Sequence, residues 1–158
     1  MKRLKPGREA SRQFLKAHLL IVEARFYEDM AEELASGAEA ALATAGSTYE
    51  RIAVPGALEI PGAIVKAHRT GRYDGYVALG IVLRGETSHY DIVANESARG
   101  LMDLTLQGLS IGNGIVTCET KDQAWARVRV GGMNKGGAAA EAALAMIAVE
   151  RMLKQEKV

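Results

Sequence analysis

A run of polar residues ends an apolar segment between Ala78 and Val93, in the sequence ALGIVLRGETSHYDIV. Gly85 permits a tight turn, so the backbone N–H groups of Glu86, Thr87 and Ser88 are predicted to lie at the start of a helix. Unpaired N–H groups and the helix dipole favour an anion there, which predicts a phosphate site. His89 falls in the same turn, and histidine is the side chain that most often transfers protons in enzymes, so it is a candidate for proton transfer on a bound ligand.

The same stretch also has a purely structural interpretation. Thr87 or Ser88 can act as the N-cap of the predicted helix, and Asp91 then places a negative charge near the positive end of the helix dipole. These residues alone leave both interpretations open.

A second group of candidates lies in VPGALEIPG, residues 54–62, between another predicted strand and helix. Glu59 can accept hydrogen bonds from hydroxyl or amide groups of a ligand. The small residues Gly56 and Ala57 permit close approach of the backbone to that ligand. The structural alternative is that Glu59 only favours the dipole of its own helix.

Two further predicted strand ends carry residues suited to a ring and to a phosphate. Phe26 offers a flat apolar face, although a lone aromatic residue at such a point also fits a core. Arg127 can bind a phosphate through two parallel hydrogen bonds or remain solvated. Lys135 follows in the glycine-rich segment GGMNKGG, just before the last predicted helix.

The elements that must position these residues alternate between strand and helix. Apolar segments rich in branched residues predict strands at His18 to Ala24, Thr48 to Val54, Tyr76 to Leu83 and Gly114 to Glu119. Helix-period segments follow each of them, from about Tyr27 to Ala45, from Pro61 to Gly71, after Ser88, around Trp125, and at the end of the chain. The last of these helices carries Ala142, Met146, Val149 and Leu153 at helical spacing.

This alternation predicts an α/β protein of flavodoxin-like type, a three-layer α/β/α sandwich with a four-stranded, mainly parallel sheet and helices on both faces. Near-continuous apolar strands such as YVALGIVL fit burial on both faces of such a sheet. Ligands of open parallel sheets bind outside the carboxyl ends of the strands. All four candidate segments lie at predicted strand ends.

The length of 158 residues fits one domain, predicted to span residues 17–158 after a basic, flexible leader at residues 1–16. A net charge of +1 argues against nucleic acid as a partner. No segment has the apolar length of a membrane helix, and the expected location is the cytoplasm. The single cysteine, Cys118, excludes a cysteine-based zinc cage and an internal disulfide. Walker-type, Gly-x-Gly-x-x-Gly, His-Glu-x-x-His and Gly-x-Ser-x-Gly motifs are absent.

Five segments taken together resemble the lumazine synthase (6,7-dimethyl-8-ribityllumazine synthase) family of riboflavin biosynthesis. They occur in the order and at the spacing of that family along the whole chain: ARFYEDMAEELASGA, VPGALEIP, YDGYVALGIVLRGETSHYDIV, IVTCETKDQAWAR and NKGGAAAEAAL. The resemblance implies a transferase that condenses 5-amino-6-(D-ribitylamino)uracil with 3,4-dihydroxy-2-butanone 4-phosphate, releasing phosphate and water. It implies no metal and no organic cofactor.

The resemblance also implies roles for individual residues. Contacts to the ring and the ribityl chain would come from Phe26, Ala57, Leu58, Glu59, Val82 and Leu83. Phosphate binding would come from Gly85, Glu86, Thr87 and Arg127. His89 would move protons during imine formation, loss of phosphate and ring closure.

Members of this family place the site between adjacent subunits. The segments around Asn113, Arg127 and Lys135 would then come from the neighbouring chain of a homopentamer, and some members join twelve pentamers into a shell. Riboflavin synthase is a further partner that the resemblance implies. The alanine-rich last helix also suits close packing against a neighbour, which raises a mainly structural assembly as another hypothesis.

Two positions depart from the family pattern. Tyr27 stands where many members carry asparagine, and Asn113 stands where many carry a second phenylalanine beside the ring. An amide in place of an aromatic wall weakens stacking on the ring. These departures motivate a second hypothesis, a noncatalytic protein that binds riboflavin or lumazine on the same scaffold.

Overall fold

The computed structural model describes residues 14–155, in which four strands alternate with helices. The elements are β1 (His18–Ala24), α1 (Glu28–Thr44), β2 (Thr48–Val54), a short 3-10 turn (Ala57–Glu59), α2 (Ile60–His68), β3 (Gly75–Leu83), α3 (His89–Leu106), β4 (Ile111–Cys118), α4 (Lys121–Val128) and α5 (Lys135–Gln155). Most of the predicted leader, residues 1–13, lies outside the described residues.

All four strands are parallel, in the order β2-β1-β3-β4. The predicted fold class, a flavodoxin-like three-layer sandwich, is confirmed. The central strands β1 and β3 are buried over nearly their whole length. Their continuous apolar runs produce this arrangement, because each face of a parallel sheet is covered by crossover helices.

Alternate residues of the central strands face two separate apolar layers. Leu19 and Ile21 of β1 pack on the side of α1, α4 and α5. Leu20 and Val22 pack on the side of the 3-10 turn, α2 and α3. Each fully buried leucine, isoleucine or valine contributes about 1.5–3 kcal/mol of transfer free energy, so the two layers stabilise the sheet. Because the strands are parallel, their carboxyl ends lie at one edge of the sandwich.

Strand β4 begins at Ile111, three residues before the predicted start at Gly114. The two glycines of IGNG lie within the strand, where α5 crosses it closely. An added Cβ at Gly112 would lie 1.7 Å from the carbonyl oxygen of Ala139. Glycine in a strand often marks such an approach. Asn113 therefore lies inside the edge strand.

Helix α5 buries a face of small residues. Its buried residues are Gly136, Gly137, Ala139, Ala140, Ala143, Leu144 and Ile147. The row picked out by spacing in the sequence lies on another side, where Met146 and Leu153 are exposed. Because alanine is common all around this helix, its apolar spacing does not single out the buried face.

We expect Gly136→Ala to destabilise the protein by about 1–3 kcal/mol, as overpacking does. An added Cβ there would lie 1.9 Å from the carbonyl oxygen of Leu34 in α1, which outweighs the better helix propensity of alanine. Urea unfolding at matched protein concentration measures the change. Gly62→Ala in α2 is the control, because its added Cβ has no atom within 4 Å. Equal midpoints for the two variants would contradict the prediction.

Candidate functional site

A cleft of about 480 Å³ opens at the carboxyl ends of β1, β2 and β3. We call it the strand-end cleft. Its lining includes these predicted site residues: Phe26, Ala57, Leu58, Glu59, Val82, Leu83 and His89. The fold brings them together because every strand of a parallel sheet ends at the same edge.

Phe26 lies in the turn between β1 and α1, and its side chain is 78% exposed. Its ring meets the ring of Tyr27 edge-on, with 4.9 Å between centroids. The alternative role of Phe26 as a core residue is therefore wrong. An exposed ring at the mouth of a cleft is available to stack on a planar ligand.

The segment that carries Glu59 turns from β2 into α2. Ala57 is buried and anchors the 3-10 turn in the layer below the sheet. The N–H of Glu59 donates to the carbonyl oxygen of Gly56 at 3.2 Å, and Pro61 follows in the first turn of α2. Glu59 is exposed at the helix start, so its carboxylate both favours the helix dipole and faces the cleft.

His89 is the first residue of α3. Its backbone N–H donates to the hydroxyl oxygen of Thr87 at 3.3 Å, while Ser88 occupies the N-cap position without a side-chain cap. Thr87 precedes the N-cap position, so its contact belongs to the turn before α3, and neither Thr87 nor Ser88 caps the helix as the structural interpretation expected. The His89 side chain lines the cleft. Gly85 and Glu86 are exposed in the preceding loop, beyond the cleft lining.

The remaining predicted residues lie elsewhere on the same chain. Asn113, Arg127 and Lys135 line a second cavity of about 240 Å³, which we call the edge-strand cleft, together with Ile115 and Thr117 of β4. The chain therefore places these residues and those of the strand-end cleft in different clefts, and the predicted phosphate residues Gly85, Glu86 and Thr87 line neither of them.

Asn113 and Arg127 are held by local hydrogen bonds. The side-chain oxygen of Asn113 accepts from the N–H of Ile115 at 2.9 Å, which covers a donor on the open edge of β4. The Arg127 guanidinium donates to the carbonyl oxygen of Gln123 at 3.0 Å. Burial raises the pKa of the Cys118 thiol, and the nearby positive charge of Arg127 opposes that rise.

Helix α4 owes its position to a cap. The Thr120 hydroxyl accepts from the N–H of Gln123 at 3.2 Å, and the Gln123 side chain accepts from the N–H of Glu119 at 2.9 Å. This arrangement closely resembles a capping box. It fixes the start of α4 at the end of β4, and Arg127 then follows one turn after Gln123 on the side of the edge-strand cleft.

Sequence reasoning missed part of the strand-end cleft. Ile81, Tyr90 and Val93 also line it. Tyr27, noted above only as a departure from the family pattern, lines it as well. The signal for Val93 was present, because a residue four places after His89 shares its helix face. Among residues 14–155 no cluster of metal-ligating side chains occurs, and no helix is long and apolar enough to span a bilayer.

A four-stranded parallel sheet with a largely apolar cleft at its strand ends defines an α/β protein with a candidate small-molecule site at that edge. The chain belongs to the 6,7-dimethyl-8-ribityllumazine synthase family, whose family model matches residues 16–151.

Curated relatives agree with this assignment over most of their length. A 6,7-dimethyl-8-ribityllumazine synthase of Agrobacterium fabrum is 59% identical over 87% of this chain and 97% of its own. The 6,7-dimethyl-8-ribityllumazine synthase 1 of Rhizobium meliloti is 57% identical over 89% of this chain and 95% of its own. The 6,7-dimethyl-8-ribityllumazine synthase of Sphingopyxis alaskensis is 56% identical over 85% of this chain and 95% of its own. The family predicted from the five segments is confirmed, and these names favour an enzyme over a noncatalytic binding protein.

Proposed function

We propose that the protein acts in riboflavin biosynthesis and condenses 5-amino-6-(D-ribitylamino)uracil with 3,4-dihydroxy-2-butanone 4-phosphate to 6,7-dimethyl-8-ribityllumazine. The observation that carries the proposal is the strand-end cleft, where an exposed aromatic ring, a carboxylate and an imidazole converge in a chain of this family. Phosphate and water are the other products, and the chain's own side chains supply the groups that the reaction needs.

The pyrimidine substrate occupies the strand-end cleft in this proposal. Phe26 stacks on the ring, and Val82 and Leu83 flank it at the end of β3. The 3-10 turn holds the ribityl chain, with the carboxylate of Glu59 accepting from its hydroxyls. The largely apolar lining supports a ring-binding role, since apolar walls with a few polar groups are typical of ligand sites.

The phosphate of the second substrate binds at the start of α3. Gly85, Glu86 and Thr87 offer backbone N–H groups, and the helix dipole favours the negative charge. Arg127 completes this phosphate site in the proposal, because a guanidinium binds phosphate through parallel hydrogen bonds. His89, one residue into α3, then moves protons for imine formation, phosphate loss and ring closure.

The reaction mainly requires that the protein align its two substrates. The amine of the pyrimidine is already a nucleophile, so the protein needs no activated side-chain nucleophile. Proximity of two aligned reactants is worth about 7–11 kcal/mol in favourable systems, whereas proton transfer contributes roughly 10²–10⁴-fold. Binding groups such as Phe26 and Arg127 therefore matter at least as much as His89.

The complete site forms between two copies of the chain in this proposal. One chain supplies the strand-end cleft, and its neighbour supplies Asn113, Arg127 and Lys135. The separation of these residues into two clefts of one chain supports this arrangement. Exposed apolar residues on α3, Ile92 and Leu106 among them, support an oligomer, because such side chains favour burial against a partner.

We propose that the protein forms a homopentamer. Light scattering measures the mass of the assembly, and a monomer would contradict the proposal.

An activity assay tests the function directly. The assembled protein is supplied with both substrates, and lumazine absorbance and phosphate release are followed together. We expect both products in equal amounts, with no lumazine when either substrate is left out. Riboflavin binding without turnover would favour the noncatalytic hypothesis instead. A cytoplasmic location and an association with riboflavin synthase stay predictions.

A further inference from the structure

A carboxylate is buried at the end of β1, away from the lining of either cleft. Glu23 is 2% exposed and lies on the side of the sheet that α1 covers. A buried charge is costly unless it is paired and hydrogen-bonded. Two arginines supply that pairing: Arg51 of β2 donates to Glu23 through Nε at 2.7 Å and Nη2 at 3.0 Å, and Arg25 donates through Nη1.

Arg25 connects this buried carboxylate to helix α1. It lies in the turn between β1 and α1, and the same Nη1 that contacts Glu23 also donates to Glu32 of α1 at 3.1 Å. A single nitrogen thus ties the strand before the turn to the helix after it. The helix start has no side-chain cap of its own, because Tyr27 at the N-cap position makes no cap hydrogen bond.

Phe26 is the residue that this turn displays. With its side chain 78% exposed and its ring in edge contact with Tyr27, it has little packing to hold it in place. The position of the ring therefore depends on the backbone of the turn. A substrate-binding group is effective only when its supporting residues hold it within a fraction of an ångström.

We propose that Arg25 is a positioning residue for pyrimidine binding, which it serves by bridging Glu23 and Glu32 across the β1–α1 turn and so holding Phe26 at the strand-end cleft. The inference rests on the proposed function, since it takes Phe26 as the surface that stacks on the substrate ring. Arg25 itself acts through the turn and is not a catalytic residue.

The hydrogen bonds around Glu23 indicate that Arg25 positions Phe26 without being needed for folding. When Arg25 is removed, the two hydrogen bonds from Arg51 still pair the buried carboxylate of Glu23. Hydrogen bonds to Arg51 and Arg25 lower the pKa of Glu32, so this carboxylate is ionised at neutral pH. The bridge is therefore present under ordinary assay conditions, and we expect the core to fold without it because Arg51 still pairs Glu23.

The first test replaces Arg25 and compares the two substrates. We expect Arg25→Met to raise the Michaelis constant for the pyrimidine roughly three- to tenfold, as a partial loss of ring stacking would, with little change in that for the butanone phosphate. Arg25→Lys should give a clearly smaller rise than Arg25→Met, because its ammonium keeps a positive charge between the two carboxylates although its side chain is one bond shorter. Equal changes for both substrates, or no rescue by lysine, would overturn the proposal.

A matched pair of variants on α1 provides the second test. Glu32→Gln weakens the bridge to Arg25, whereas Glu39→Gln changes a carboxylate that contacts Arg51 and Tyr49 instead. Both variants weaken one ion pair of Arg51. We expect the rise in the pyrimidine Michaelis constant for Glu32→Gln only, and equal behaviour of the two variants would count against Arg25.

Binding measured without turnover distinguishes failure of the positioning role of Arg25 from failure of the proposed function. Calorimetric titration of wild-type protein and Arg25→Met with the pyrimidine alone should show the same weakening as the kinetics. If wild-type protein binds and turns over but Arg25→Met binds equally well, the positioning role is wrong. If wild-type protein itself makes no lumazine, the proposed function fails instead.

Discussion

Arg127→Ala is expected to raise the Michaelis constant for the butanone phosphate by about 10- to 100-fold, the effect of losing hydrogen bonds between a guanidinium and a charged ligand. The Michaelis constant for the pyrimidine should change much less, because Arg127 lies in the edge-strand cleft and not among the residues assigned to the ring. Steady-state kinetics with each substrate varied in turn measure both values.

Arg129→Ala is the matched control for this prediction. Arg129 lies two residues further along and places its guanidinium 5.5 Å from the ring centroid of Trp125, in a different surface pocket lined by Glu33 and Met133. It removes the same charge from the same region of the chain. A general electrostatic effect would weaken phosphate binding in both variants, and a larger effect on the pyrimidine than on the phosphate substrate would contradict the role of Arg127.

Sequence patterns predicted the fold because its main determinants are local. Four strands appeared as branched apolar runs, and the bounds of β1 and β2 agree with those of the structure. The start of β4 was missed because glycine is uncommon in strands, and only the close approach of α5 explains Gly112 within this one. That contact joins segments more than twenty residues apart, so no local pattern contains it.

The site was predictable to the extent that it lies at strand ends. Phe26, Glu59 and His89 each follow a strand, and a parallel sheet brings such positions together. Tyr90 was missed because its contact with the guanidinium of Arg84 and its place in the cleft depend on how α3 is turned against the sheet.

Long-range charge pairing was the least visible part of the sequence. Glu23 sits in HLLIVEA as a single charge in an apolar strand, and nothing nearby in the chain reveals that Arg51, 28 residues away, pairs with it. Only the register of β1 with β2 and the position of α1 join the two. The contacts that stabilise the β1–α1 turn therefore include residues far apart in the chain, and local sequence patterns do not reveal them.

The proposed division of the site between two chains leads to the other large expected effect. His89→Ala should lower turnover roughly 10²–10⁴-fold, the usual contribution of general acid–base catalysis. His89 and Arg127 open onto different clefts of one chain. At butanone phosphate concentrations well below the Michaelis constant of Arg127→Ala, both single variants should be nearly inactive. If the complete site is shared, the two variants should therefore complement each other under these conditions when their chains are mixed within one assembly.

The complementation experiment unfolds His89→Ala and Arg127→Ala chains together in equal amounts and refolds them as mixed assemblies, with distinct tags to verify mixing. Random placement in a closed ring gives about a quarter of the interfaces both native side chains, and the rate at low butanone phosphate should recover to about that fraction of the wild-type value. No recovery by assemblies that carry both tags would mean that His89 and Arg127 do not meet across an interface.

A second mixture makes the result quantitative. Wild-type chains are combined in equal amounts with chains that carry both substitutions. A site within one chain would retain about half of the wild-type turnover, whereas a site shared by neighbours would retain about a quarter. The shared site therefore predicts the same recovery in both mixtures, and a site within one chain predicts about half in this mixture and none in the other. Because chain number and total substitutions are identical, the difference between the two mixtures depends only on which chain supplies each residue.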